Sequence, residues 1–280
     1  MGVDPTMSSQ QILKQLSNHI LFRSMHYAFI ALQLRDELAK SSAGERSCLE
    51  MRPFVLWLTH ILVSYSGDIL VNLLLGTLPL EPLSNYHDVM LSTFAWYIIF
   101  YSPFDVAHSV ARTTPFRCLA TPVAALSQVL HIERGVHLAS KVYGKNSLVP
   151  VIIIGTVIGS GAEFLKPVAA LLINRCQMKP AAYIKLSTNS KLAIAISWLY
   201  LLQLNGSQLL FGLSRCQLQL YALLALMCFK FLALFYRLDH LIWLLENRLC
   251  YALFGGLYAD LTKFFKRQPI PKCGSFTKFD

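Results

Sequence analysis

Asp68, Glu163 and Lys166 are charged residues lying inside long apolar runs. At a bilayer centre each charge costs about 2.5–3.5 kcal/mol on insertion scales, so such residues normally face a bundle interior or a wet cavity. Asp68 closes the interruption Ser66-Gly67-Asp68, and Glu163 and Lys166-Pro167 follow the interruption Gly159-Ser160-Gly161. Glycine admits backbone conformations and close approaches that other residues resist, and opened backbone inside a membrane is tolerated only against protein or water. Carboxylates and freed carbonyl dipoles in a narrow path attract cations. Ser66, Gly67, Asp68, Gly159, Ser160, Gly161, Glu163 and Lys166 are therefore read as lining or capping a cation path. The competing reading is a structural ion pair for the charges and small-residue helix packing for the glycines.

Other chemistry finds little support. There is no HExxH, GxSxG or P-loop, and Asp68 lacks a matched catalytic partner, so no enzyme and no catalytic residue are expected. Seven scattered cysteines without a CxxC or a close Cys/His cluster read as free thiols, with no metal site and no cofactor. His60 reads as a packed histidine, and Lys230, near a helix end, as a lysine that snorkels to the headgroups.

The elements that must hold these residues are apolar. Of 280 residues 55% are apolar and 14% charged, with mean hydropathy +0.48; soluble domains carry about 25% charged residues. Seven stretches approach the roughly 20 residues of a spanning helix: 20–34, 53–76, 89–109, 119–142, 148–172, 188–209 and 217–236. The first is short and the fourth is interrupted by Glu133 and Arg134. An amphipathic stretch, Leu238 to Leu261, reads as an interfacial helix. The expected fold is thus an all-α membrane protein, with a polar segment 1–19, a seven-helix domain 20–236, and an amphipathic stretch and basic tail 237–280.

Loop charge sets orientation. Four basic residues lie between Arg35 and Arg52 and four between Arg175 and Lys191, with more in the tail, whereas Thr77 to Asp88 has none. The N-terminus is expected to be luminal and the C-terminus cytosolic. The formal charge of +10 reports this asymmetry, and nucleic acid is not expected as a partner. No cleavable signal peptide is visible, and Met7 makes the first six residues read as an expression leader, although they formally fit a myristoylation pattern.

The two interruptions fall in the middle members of two span triplets, about 20–109 and 119–209. The third and sixth spans share Trp96-Tyr97 and Trp198-Leu199-Tyr200. A triplet has an odd number of spans, so its second copy must be inverted, and broken helices at matching places of inverted repeats point to an ion or substrate path.

Several segments resemble the trimeric intracellular cation (TRIC) channel family: Ser66-Gly67-Asp68-Ile69-Leu70, Leu73-Leu74-Leu75-Gly76, Phe94 to Phe100 with Ser102-Pro103-Phe104-Asp105, Gly155 to Gly161, Lys185-Leu186-Ser187 with Lys191, and Leu253-Phe254-Gly255. The likeness runs from about Ile20 to Gly256 and is that of an invertebrate-like member. The resemblance implies a homotrimer with one monovalent-cation pore per subunit, built from inverted triplets plus a seventh helix. It also implies residence in the endoplasmic or sarcoplasmic reticulum, passage of potassium as counter-current to calcium release and, as in some members, binding of phosphatidylinositol 4,5-bisphosphate within the subunit.

One departure stands out. Family members carry basic residues at i, i+4 and i+7 on the fourth helix, forming one face that can meet lipid phosphates or the pore. Those positions are Ala124, Gln128 and His131 here, with Ala125 in place of the Glu, and Ile158 replaces a basic residue before the second glycine break. A charge-assisted phosphate site has lost its fixed charge, so weak phosphoinositide binding is expected. A divergent member and deliberate exchange of basic residues at Ala124 and Gln128 are both consistent with this. By class, a secondary transporter with inverted repeats competes with the channel, and span count alone also suggests a seven-helix receptor.

Overall fold

The computed structural model describes residues 5–41, 53–172, 187–206 and 212–236, with Leu244, Asn247, Arg248 and Tyr251 beyond them. Among these residues the regular structure is helical. The helices are α1 (Pro5–Asn18), α2 (Ile20–Ser41), α3 (Pro53–Ser64), α4 (Ser66–Leu75), α5 (Tyr86–Tyr101), α6 (Val106–Arg112), α7 (Thr114–Tyr143), α8 (Leu148–Leu172), α9 (Thr188–Leu204) and α10 (Arg215–Phe235). The chain divides into two units, Met1–Leu232 and Ala233–Asp280. The expected amphipathic stretch and tail lie almost wholly outside the described residues.

The second expected span is two helices, α3 and α4, bent by 62°. The bend centres on Tyr65, whose φ of −104° and ψ of 7° leave the helical region. Tyr65 is buried, and its hydroxyl lies 3.2 Å from that of Tyr27 on α2. The break thus begins just before Ser66. At its far end α4 stops at Gly76, whose φ of +70° allows Gly76 and Thr77 amides to cap the carbonyls of Leu73 and Asn72.

The third expected span, 89–109, is not one rod. Helix α5 ends at Tyr101, and the segment Pro103–Arg112 leaves it at 88°. Proline disfavours helix at the residue before it, and Ser102 is extended. Phe104 and Asp105 then both take positive φ, 53° and 55°. The unfavourable turn is held by Arg35 of α2, which donates to both carboxylate oxygens of Asp105 at 2.9 Å and to the Ile99 carbonyl at 2.5 Å. That pairing explains why α2 runs on past residue 34, the expected end of the first span: Arg35 is a buried anchor, not a loop charge.

The fourth expected span contains no break. Helix α7 is continuous through Glu133 and Arg134 because Glu133 turns inward and accepts from Arg215 of α10 at 2.5 Å. Helix α8 does carry its predicted irregularity, at Ser160 (φ −135°, ψ 23°), where the Ser160 hydroxyl bonds back to the Thr156 carbonyl at 2.7 Å.

Among the described residues two larger apolar cores result, beside a smaller cluster of Tyr27, Ile61, Tyr65 and Ala95. One joins α7, α8, α9 and α10 through residues such as Val129, Ile132, Val136, Ile154, Ile158, Ile196 and Leu226. The other joins α2, α3, α5 and α6 through Leu32, Leu56, Trp96, Phe100 and Ala111. Trp96 is buried whereas Trp198 is exposed, so the paired tryptophan patches do not occupy equivalent surroundings.

Outward faces are apolar too. On α5, Met90, Phe94, Tyr97 and Ile98 are exposed at helical spacing, as are Tyr221, Leu224 and Leu232 on α10. A helix that is hydrophobic all round belongs to a buried or membrane setting. By length and composition, two described helices are long and apolar enough to cross a membrane, the Leu148–Leu165 part of α8 and α10, or up to four if each bent pair is one span. Seven spans were expected. The shortfall comes from charges along α2 and α7 and from the 17-residue length of α9.

Candidate functional site

The two irregular helices meet. A Cβ added to Gly161 of α8 would overlap the backbone of Gly67 on α4, and one added to Gly67 would overlap the Ile158 carbonyl. Only glycine permits this approach of two main chains. Neighbouring glycines serve helix packing: Gly159 lies against Ile132, and Gly135 of α7 against Ile158 and Gly155.

Around this crossing lies a cavity of about 260 Å³. Ser66, Gly67 and Asp68 line it from α4, and Gly159, Ser160, Gly161 and Glu163 from α8. Ala124, Gln128 and His131 line it from α7. Their i, i+4, i+7 spacing puts them on one helix face, and packing turns that face to the cavity. All expected site residues but one thus share one space. The exception is Lys166, whose side chain lies outside the described residues. Several liners were not anticipated: His26, Gln33 and Glu37 from α2, Asn189 from α9 and Lys230 from α10. Lys230 borders the cavity, contrary to the expectation of a snorkelling side chain, because its face of α10 is turned inward.

Asp68 is paired. Its carboxylate accepts from the Arg134 guanidinium, and His131 Nδ1 lies 4.0 Å from its other oxygen. The clue in the sequence was the adjacent Glu133-Arg134 pair in an apolar run: each member turns out to hold an opposite charge on another helix. His60 is fully buried and lies 3.0 Å from the Ser92 hydroxyl, a packed histidine as expected.

Arg134 faces a second cavity, about 440 Å³, lined also by Lys14, Glu133, His137, Lys141 and Arg215. Ser127 and His131 border both spaces. The Asp68–Arg134 pair therefore stands where the two cavities adjoin. Among the described residues no group of His, Cys, Asp and Glu is arranged to hold a metal ion.

Broken helices that meet at a cavity, inside a helical bundle with apolar outward faces, are the architecture of an all-α membrane protein. Residues 42–237 match the family described as TRIC channel, and the chain belongs to that family. It is 29% identical over 160 residues to the trimeric intracellular cation channel type 1B.1 of Caenorhabditis elegans, covering 57% of this chain and 53% of that protein. It is 26% identical over 191 residues to the type B channel of Danio rerio, covering 68% and 64%. The chain thus spans about half to two thirds of the length of these curated relatives. They are named as channels, not enzymes, in keeping with the expectation that this chain is not an enzyme. The fold resembles that of a trimeric intracellular cation channel from C. elegans solved without Ca2+, with TM-score 0.72 and 24% identity over 82% of this chain and 96% of that one. It also resembles a structure described as the basis for activity of TRIC counter-ion channels in calcium release, with TM-score 0.67 and 24% identity over 79% and 96%.

Proposed function

We propose that this chain forms a potassium-permeable cation channel of the endoplasmic or sarcoplasmic reticulum, a homotrimer with one pore per subunit that supplies counter-ion current during calcium release. The observation that carries the reading is the meeting of the two glycine-broken helices at a cavity bordered by Asp68, Glu163 and Glu37. Carboxylates and released carbonyls favour cations over anions there. The names of the relatives, trimeric intracellular cation channels, support the trimer and the internal membrane.

The same reading takes the helices as seven spans, two inverted triplets plus α10, with a luminal N-terminus and a cytosolic C-terminus. The two apolar cores fall largely along the triplet division, which supports it. Phosphatidylinositol 4,5-bisphosphate should bind weakly, because Ala124 and Gln128 carry no charge in a cavity that Lys230 shares with Glu37 and Glu163.

Planar-bilayer recording of the purified chain in asymmetric potassium chloride tests the proposal. Unitary currents reversing toward the potassium equilibrium potential are expected. Reversal near the chloride potential, or the absence of unitary currents, overturns it. The competing reading, a secondary transporter, draws support from the Asp68–Arg134 pair standing where two cavities adjoin; flux confined to transporter turnover rates would favour it.

A further inference from the structure

The second cavity has a charge pattern that cation passage does not require. Four permanent cations border it, Lys14 from α1, Arg134 and Lys141 from α7, and Arg215 from α10, together with His137. The acid among its liners is Glu133, which is nearly buried and already accepts from Arg215. Arg134 is likewise engaged with Asp68, on the side of the first cavity. Each guanidinium carries five N–H donors in a fixed fork, and the hydrogen bonds described use one nitrogen of each, Nη2 of Arg134 and Nε of Arg215. Both side chains are about half exposed, 54% and 46%. Lys14 and Lys141 have no acidic partner among the described residues.

We propose that this cavity binds a phosphate-class oxyanion. Donors converge on it from three helices, so the fitting ligand offers several oxygens in different directions, as a tetrahedral phosphate does and a planar carboxylate does not. Its volume of about 440 Å³ falls within the roughly 300–1,000 Å³ of small-molecule sites. Phe22, Leu130 and Leu138 border the same space and give an apolar flank on which the glycerol end of a phospholipid can lie. Free phosphate and a lipid phosphate monoester share the recognised chemistry. The site is distinct from the first cavity, where carboxylates oppose an anion.

The test uses the full chain in nanodiscs of neutral phosphatidylcholine, at constant ionic strength. Inorganic phosphate is titrated in one arm, and phosphatidic acid is incorporated in the other, with the thermal unfolding midpoint as readout. A saturable rise is expected with at least one of the two, and which arm shows it identifies the source. Lys14→Gln with Lys141→Gln should weaken the apparent affinity by about tenfold or more. Lys145→Gln, which removes a charge from the neighbouring loop without bordering the cavity, should leave it unchanged. No saturable rise in either arm, or equal weakening by Lys145→Gln, overturns the proposal. Failure of channel activity in the bilayer assay would leave this binding result untouched, so the two readings fail separately.

Discussion

Gly67 and Gly161 press main chain against main chain, with no room for a Cβ on Gly161. The atoms that would be struck are backbone atoms of α4, which cannot rotate away as a side chain can. Gly161→Ala is therefore expected to destabilise the protein by about 1–3 kcal/mol, the usual cost of overpacking. Gly159→Ala should cost less, because it meets the Ile132 side chain, which has other rotamers. Thermal unfolding of both variants in detergent gives the comparison, and a Gly161→Ala protein as stable as the parent would contradict the close crossing.

The Asp68–Arg134 pair leads to a second expectation. Asp68→Asn leaves Arg134 without its partner at the junction of the two cavities, so cation conductance should fall. Arg134→Gln added to it removes that charge and should restore much of the current. For stability the coupling should be small, about 0–1 kcal/mol, since Arg134 is half exposed. Bilayer currents from the two single variants and the double variant check this; normal, selective current in Asp68→Asn would show that the path lies elsewhere.

Arg35 and Asp105 are unequally buried, with side-chain exposures of 5% and 41%. Removing Asp105 strands a buried guanidinium, whereas removing Arg35 leaves a carboxylate that water can reach. Asp105→Ala should therefore destabilise more than Arg35→Met, by about 2–3 kcal/mol against about 1 kcal/mol. The order of unfolding midpoints decides it, and the reverse order would show that the guanidinium is hydrated by another route.

Lys230 places a positive charge on the wall of the cavity proposed to pass cations. Lys230→Met removes it at similar length, and single-channel conductance for potassium should rise while reversal potentials become more cation-selective. A fall in conductance would mean that the ammonium positions the carboxylates instead of repelling the ion.

Much of the site was legible along the chain. A charge or a glycine pair inside an apolar run is a local anomaly, visible without knowing what surrounds it, and Ser66 to Asp68 and Gly159 to Glu163 were visible on that ground. Ala124, Gln128 and His131 were marked out only by the resemblance to the family's fourth-helix motif, whose i, i+4, i+7 spacing places them on one helix face. The limits were as physical. Glu133 and Arg134 looked like an interruption because hydropathy counts a charge without its partner, and Arg35 looked like a loop residue for the same reason.

Composition and period, being properties of neighbouring residues, determined that this chain is helical and apolar and that two of its helices are irregular, near Ser66 and near Ser160, but not the bend at Ser102 or the continuity of α7. Tertiary packing decided which broken segments touch, that Arg134 answers Asp68 and Arg215 answers Glu133, and that Lys230 borders a cavity. Those outcomes depend on the rotation of each helix about its axis relative to the others. One residue of register turns a side chain by about 100°, so contacts between distant helices can be read only from the packed structure.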